Sequence, residues 1–254
     1  MGPRQASPDN RGMTSVTEFA PGLEIQGFTA PLSLSQFKLI AFDMDSTLIN
    51  IECVDEIADA VGRKAEVAAI TEAAMRGEIT DFKDSLRRRV ALLQGVTTDD
   101  MERVYAERLK INPGAAELIA ACQKAGMKVL LVSGGFTYFA NRVKDRLKID
   151  FARSNILEIE NGVLTGGLVE QSWGDICDGA EKRRTVLEVA SLLGIEPGEC
   201  IAMGDGANDL PMMAACSDAG GLSVAYHAKP KVREQAMVAI NTGGLDRLLE
   251  VVLP

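Results

Sequence analysis

The sequence is poor in the residue types that build zinc centres and disulfide frameworks. Histidine occurs once, as His227, and the five cysteines, Cys53, Cys122, Cys177, Cys200 and Cys216, are odd in number, scattered and free of C-x-x-C spacing. A metal held here must therefore rely on oxygen donors, and the thiols read as small hydrophobes in a reducing compartment. Basic residues are also in deficit, with 27 Lys and Arg against 36 Asp and Glu and a net charge of -9. That balance argues against nucleic acid and anionic membrane surfaces as partners, because phosphates reward positive charge. No apolar run approaches the roughly 18 to 20 residues that span a bilayer. The N-terminus also lacks the basic, apolar, small-residue order of a signal peptide. A cytoplasmic protein without membrane contact is expected.

What is present is ordinary globular material. With 254 residues, 46% hydrophobic and 25% charged, the chain is long enough for one large domain or for a domain with a sizeable insertion. Residues 1–22 mix Pro, Gly, Ser and charge without periodicity and read as a flexible extension. From 53 to 109 the pattern is helical: Phe82, Leu86, Val90 and Leu93 recur at helical spacing, and Thr98 is placed to cap a helix carrying Met101, Val104, Tyr105 and Leu109. Beyond it strands and helices alternate. "MKVLLV" follows a helix bounded by Pro113 and Gly126, Asn161-Gly162 marks a two-residue hairpin turn, and Glu181 to Leu193 is helical. "CIAM" and "GGLSVAY" read as strands, ahead of a closing helix over Leu245 to Val252. The alternation predicts an α/β, doubly wound (Rossmann-like) parallel sheet core over 23–52 and 110–254, interrupted by a mainly helical insertion at 53–109.

Three apolar runs end in polar clusters: "LIAFDMDST", "VLLVSGG" and "CIAMGDGAND". In doubly wound sheets ligands bind beyond the carboxyl ends of the strands. If these strands are parallel neighbours, one crevice collects Asp43, Asp45, Asp205 and Asp209. Carboxylates that close need protons or a cation, and an all-oxygen donor set suits Mg²⁺. Ser133 with the amides of Gly134 and Gly135 predicts a compact anion-binding turn at a helix N-terminus, and Lys182 adds a full positive charge. Carboxylates, a hard cation, hydroxyl and amide donors and a lysine together describe phosphoryl transfer, with the first aspartate as nucleophile.

Each motif taken singly has a plainer reading. D-x-D pairs and SGG occur in ordinary turns, while Lys182 and the Arg87, Arg88, Arg89 run can belong to solvated faces. "GDGAND" carries Asp209 where a dinucleotide fingerprint needs its third Gly, which argues against NAD binding. His227 has no base or nucleophile near it in sequence and reads as structural.

In combination, from about Leu39 to the C-terminus, the motifs resemble the haloacid dehalogenase superfamily of phosphatases and, within it, the phosphoserine phosphatase family. "DMDST" is similar to the family's D-x-D-x-T, "SGG" to its second motif, Lys182 in "EKRRT" to its third and "GDGANDL" to its fourth. The resemblance implies that Asp43 is the nucleophile and Asp45 the acid and base. It also implies Mg²⁺ held by Asp43, the backbone carbonyl of Asp45 and Asp205, with Asp209 supporting that site. Ser133, Gly134, Lys182 and Asn208 would hold the phosphoryl group. The helical segment resembles the family's cap, where Glu52 matches the residue that receives the substrate ammonium, Arg89 the one that grips its carboxylate, and Met75 and Phe82 apolar closing positions. The expected reaction is Mg²⁺-dependent hydrolysis of the small-molecule substrate O-phospho-L-serine through an aspartyl-phosphate, the last step of L-serine biosynthesis, by a monomer or homodimer. Two alternatives stay open: another small phosphomonoester such as phosphohomoserine, and a non-catalytic phosphoamino-acid-binding protein.

Overall fold

The computed structural model describes residues 15–254. The chain opens with β1 (Thr17–Ala20) and β2 (Leu23–Ile25), an antiparallel hairpin whose turn holds Gly22 at φ +71. A Cβ at Gly22 would meet Thr242 Oγ1, so the hairpin is seated tightly on the rest of the fold. This corrects the expected boundary after residue 22: Thr17–Ala20 belong to the sheet, and the Pro and Gly that read as linker punctuation form the turn. The first fourteen residues of the expected extension lie outside the described residues.

β3 (Leu32–Ser33) precedes β4 (Leu39–Phe42), every residue of which is buried, as a strand covered on both faces requires. After β4 come α1 (Cys53–Ala60), α2 (Lys64–Met75), α3 (Phe82–Ala91) and α4 (Thr98–Arg103). The cap of α4 is Thr97, not Thr98, because Asp100 returns a bond to the Thr97 amide and completes a capping box. The chain leaves and rejoins the sheet side by side: Asn50 N donates to Lys110 O at 3.0 Å and Asn112 N to Leu48 O at 2.9 Å.

Alternation then sets in as the pattern predicts, through α5 (Ala115–Lys124), β5 (Lys128–Phe136), α6 (Thr137–Leu147), β6 (Phe151–Glu160) and β7 (Val163–Val169). The β6–β7 hairpin turns at Asn161-Gly162, both at positive φ. It also reaches the helical segment, since Gly95 N donates to Leu164 O at 2.9 Å and Leu164 N to Val96 O at 2.8 Å. α7 (Gly179–Leu193), β8 (Cys200–Gly204), α8 (Leu210–Ser217), β9 (Leu222–Tyr226), α9 (Pro230–Gln235) and β10 (Val238–Ile240) follow. The expected closing helix is instead a 3₁₀ turn at Leu245–Glu250, after which β11 (Val252–Leu253) pairs in parallel with β3.

The main sheet runs β1-β2-β10-β9-β8-β4-β5-β6-β7. The six strands from β10 to β6 are mutually parallel, with antiparallel strands at both edges. Alternate residues of β4 face opposite cores: Ile40 and Phe42 pack with Val129 and Leu131, Leu39 and Ala41 with Leu130 and Val132. Register places Phe42 beside Leu131 on one side and Met203 on the other, so the polar clusters after β4, within β5 and after β8 fall at one end of adjacent strands. That arrangement matches a doubly wound α/β core.

Candidate active site

The three strand ends and the helical segment enclose a cavity of about 130 Å³. Asp43, Asp45, Ser133, Gly134, Asp205 and Asn208 line it from the sheet side, and Glu52, Phe82, Leu86 and Arg89 from the helical side. Lys182 and Asp209 do not line it. Both are fully buried beneath it, where the first turn of α7 delivers the lysine.

Lys182 Nζ lies 2.7 Å from Asp43 Oδ1 and 2.6 Å from Asp209 Oδ1. Asp43 Oδ1 also accepts from Met44 N at 2.7 Å. Asp209 Oδ2 accepts from Asp205 N at 3.0 Å and Gly206 N at 2.9 Å, so this carboxylate ties the loop after β8 to α7. A Cβ on Gly204 would sit 2.3 Å from Asp209 Oδ2, which makes glycine obligatory at that approach. Asp43, Asp205 and Asp209 each present an oxygen within 4.8 Å of the others.

Two of the three carboxylates pair with one lysine, and the titration of Asp43 and Asp205 reflects the excess of negative charge. Burial lifts the Asp43 carboxyl well above its ordinary range, Asp209 and Asp205 push the same way, and Lys182 opposes them. Asp205 is pushed up to about 7 by burial and then by Asp209 and Glu52. Burial works against the Lys182 ammonium, but Asp209 and Asp43 outweigh it and hold its proton more tightly than usual. A buried all-oxygen cluster with excess negative charge is suited to a divalent cation, and the triad can hold one.

Asp45 stands outside that triad. Its Oδ2 accepts from Cys53 N at 2.9 Å and its Oδ1 from Cys53 Sγ at 3.2 Å. Burial, followed by the nearby Glu52 charge, pushes its carboxyl up to about 7. Such a group is protonated for part of the time near neutrality, as proton transfer to a leaving oxygen requires.

The Ser133 cluster differs from expectation. Ser133, Gly134 and Gly135 lie within the irregular last part of β5, and α6 begins only at Thr137. Gly135 N donates to Ser133 Oγ at 2.8 Å, so that amide is already used, while the Ser133 hydroxyl proton remains available. Gly134 O is held by Asn155 Nδ2 at 2.8 Å. Phe82 Cζ would lie 3.2 Å from a Cβ on Gly134, so the helical side closes directly onto this strand.

The arginine run separates by direction. Arg87 pairs with Asp175 and Arg88 with Asp84, both at the surface, whereas Arg89 turns into the cavity. Among the described residues Arg89 makes no ion pair; its Nε donates only to Ser85 O, at 3.4 Å. Burial disfavours its charge, partly offset by Asp55, Glu52 and Asp45. Glu52 immediately precedes α1 and accepts from Ser46 Oγ at 2.6 Å, Ser46 being at φ +57. Met75 closes α2, and its side chain lies outside the described part of the structure.

Two features in and behind the cavity, Lys229 and Cys53, escaped the sequence. Lys229 lines the mouth, and its amide donates to Asp205 O at 3.3 Å; in "HAKPK" it reads as one surface charge among several. Cys53 reads as a buried hydrophobe, and nothing in its spacing marks Asp45 as its partner. His227 is structural, its Nε2 2.9 Å from Gly243 O and its ring against Tyr226.

Residues 40–214 match the sequence model of the haloacid dehalogenase-like hydrolases. The chain belongs to that family. Within the haloacid dehalogenase-like hydrolases it is 71% identical to a phosphoserine phosphatase of Albidiferax ferrireducens, over 94% of this chain and 99% of that one. It is 48% identical to a phosphoserine phosphatase of Haemophilus influenzae, over 85% of this chain and 66% of that one. Among solved structures, a phosphoserine phosphatase described as a phospho-aspartyl intermediate analogue superposes with a TM-score of 0.76 at 37% identity, covering 85% of this chain and 99% of that one. A substrate-bound phosphoserine phosphatase complex gives 0.76 at 36% identity, covering 85% and 98%.

Proposed function

We propose that the protein hydrolyses O-phospho-L-serine to L-serine and phosphate through an aspartyl-phosphate on Asp43. One observation carries the substrate reading: Glu52 and Arg89, a carboxylate and a guanidinium without an ion-pair partner among the described residues, line the same 130 Å³ cavity above the aspartate–lysine cluster. An amino-acid zwitterion supplies the complement of both, its ammonium for Glu52 and its carboxylate for Arg89. The identity to phosphoserine phosphatases supports the same substrate.

The phosphoryl group would be held by the Ser133 hydroxyl, the Gly134 amide and Asn208, while Lys182, expected among these ligands, lies buried beneath Asp43 and would supply its charge from there. Asp43 attacks phosphorus, the bond from phosphorus to the serine oxygen breaks, and the Asp45 carboxyl gives its proton to that oxygen. Serine's alkoxide is a poor leaving group, so this proton is essential. Asp45, now ionised, takes a proton from water as the water attacks phosphorus; the phosphorus–Asp43 bond breaks and phosphate leaves. We assign Asp43, the Asp45 carbonyl and Asp205 as the residues that would hold Mg²⁺, with Asp209 fixing the loop behind them. When bound, the cation neutralises the cluster and the transferring phosphoryl oxygens.

On this reading residues 53–109 act as a cap that excludes water, with Phe82 against Gly134. A cytoplasmic enzyme of L-serine biosynthesis fits, and no helix among the described residues is long and apolar enough to cross a membrane. The test is phosphate release with Mg²⁺ and with EDTA across O-phospho-L-serine, O-phospho-L-threonine, phosphohomoserine, glycerol phosphate and p-nitrophenyl phosphate. A metal-dependent preference for phosphoserine in kcat/KM is expected. A flat profile or another preferred ester would overturn the substrate assignment, and no release at all would favour a phosphoamino-acid-binding protein.

A further inference from the structure

The residue that follows the proposed ammonium ligand makes two contacts with the proposed general acid. Cys53 is fully buried at the start of α1, and both of its donors point at one carboxyl group: its amide at Asp45 Oδ2, 2.9 Å away, and its thiol at Asp45 Oδ1, 3.2 Å away. The first amides of a helix have no partner inside it. Glu52, which precedes the helix, makes no side-chain cap, so Asp45 satisfies this one from outside. The two contacts differ in kind. An amide can only donate, which keeps Oδ2 an acceptor; a thiol is a weak donor and a weak acceptor, and so tolerates Oδ1 with or without a proton.

Oδ1 also lies near the Ser133 hydroxyl, which the proposed function gives to the phosphoryl group. A Cβ built on Gly135 would stand 3.2 Å from Asp45 Oδ1 and 3.1 Å from Ser133 Oγ, so this oxygen faces the end of β5. We infer that Cys53 is a positioning residue for Asp45: its amide fixes the carboxyl plane, and its thiol holds Oδ1 toward the leaving oxygen of the substrate. The inference rests on the reading of Asp45 as the general acid. Cys53 touches no reacting atom itself.

A thiol that merely fills space and a thiol that aims the acid differ in their dependence on the leaving group. The experiment measures kcat/KM, which covers the steps up to release of the alcohol, for O-phospho-L-serine and for p-nitrophenyl phosphate, whose phenolate leaves without a proton. The proteins are wild type, Cys53→Ala, Cys53→Ser and Asp45→Asn. Because each variant's aryl phosphate activity reports its folded, metal-loaded fraction, the ratio of the two values is independent of folding losses.

Cys53→Ala should lower the phosphoserine to aryl phosphate ratio about tenfold, a fraction of the full worth of a general acid, and Cys53→Ser, which keeps a donor, should restore most of it. Asp45→Asn should lower the ratio further. If Cys53→Ala leaves the ratio unchanged while Asp45→Asn lowers it, the thiol is packing only and the inference fails alone. If Asp45→Asn also leaves the ratio unchanged, the acid reading fails and takes the inference with it. A Cys53→Ser ratio no better than that of Cys53→Ala would count equally against an aiming role.

Discussion

Lys182 Nζ sits between two carboxylates, 2.7 Å from Asp43 and 2.6 Å from Asp209, with lysine and Asp209 wholly shielded from solvent. Among the described residues this lysine alone pairs with both carboxylates, and it ties two strand ends to α7. Replacing it by Met leaves like charges buried together without compensation, and breaking a buried pair from one side costs about 3 to 5 kcal/mol. Lys182→Met should therefore be inactive and should lose stability of that order in urea unfolding at pH 8, with a smaller loss at pH 5, where the carboxyls can protonate. A variant as stable as wild type at pH 8 would show that the pair contributes nothing net.

Asp43 accepts from Lys182 and from the Met44 amide, so an isosteric amide in its place keeps the shape while removing the proposed nucleophile and one of the three crowded carboxylates. Asp43→Asn should lower kcat at least about 1,000-fold, the scale set by loss of a nucleophile that acts in concert with its neighbours. Incorporation of ³²P into the acid-quenched protein should vanish. Retention of acid-stable label in the variant would move the nucleophile elsewhere.

Arg89 enters the cavity while Arg87 and Arg88 are occupied at the surface. A charge-assisted pair with a substrate carboxylate contributes up to about 3 kcal/mol, which is about 100-fold in kcat/KM. Arg89→Ala should impose a loss of that size on O-phospho-L-serine and little on O-phosphoethanolamine, which lacks the carboxylate. Equal losses on both esters would mean that Arg89 supports the cavity wall instead of reading the substrate.

How far the site could be read from the chain depended on where each residue's partners lie. β4 and β8 announce themselves because strands buried on both faces are apolar throughout and stop where the polar crevice begins, whereas β5 carries its polar cluster inside the strand. Arg89, by contrast, is one of three adjacent arginines, and periodicity cannot say which one turns inward; Asp84 and Asp175 decide it by engaging the other two. The capping threonine shifts by one because the Asp100 carboxylate, not the threonine itself, selects the position. β11 is hidden for a different reason: its partner β3 lies at the opposite end of the sequence, so Val252 looks like the continuation of a helix until Leu32 is placed beside it. The link from Cys53 to Asp45 is likewise invisible, since seven residues, a left-handed Ser46 among them, intervene.

The acid cluster makes the protein's stability depend on pH and metal together. Asp205 is raised from 3.8 to about 7, so the folded state holds a proton that the unfolded chain has already lost. A group raised in this way stabilises the fold fully below its unfolded value, and that contribution is lost as pH climbs from about 3.8 through about 7. Above that range Asp205 adds its charge to the metal-free triad with Asp43 and Asp209, and a divalent cation binds more tightly there because no proton need be displaced from Asp205. Mg²⁺ should accordingly raise Tm much more at pH 8 than at pH 5.5, and below pH 7 its apparent Kd should weaken about tenfold per pH unit for each proton displaced. Calorimetric scans with Mg²⁺ and with EDTA at the two pH values read this directly. An equal Mg²⁺ shift at both would mean that the cation does not compete with the proton on Asp205, and the assignment of that residue to the metal would have to be withdrawn.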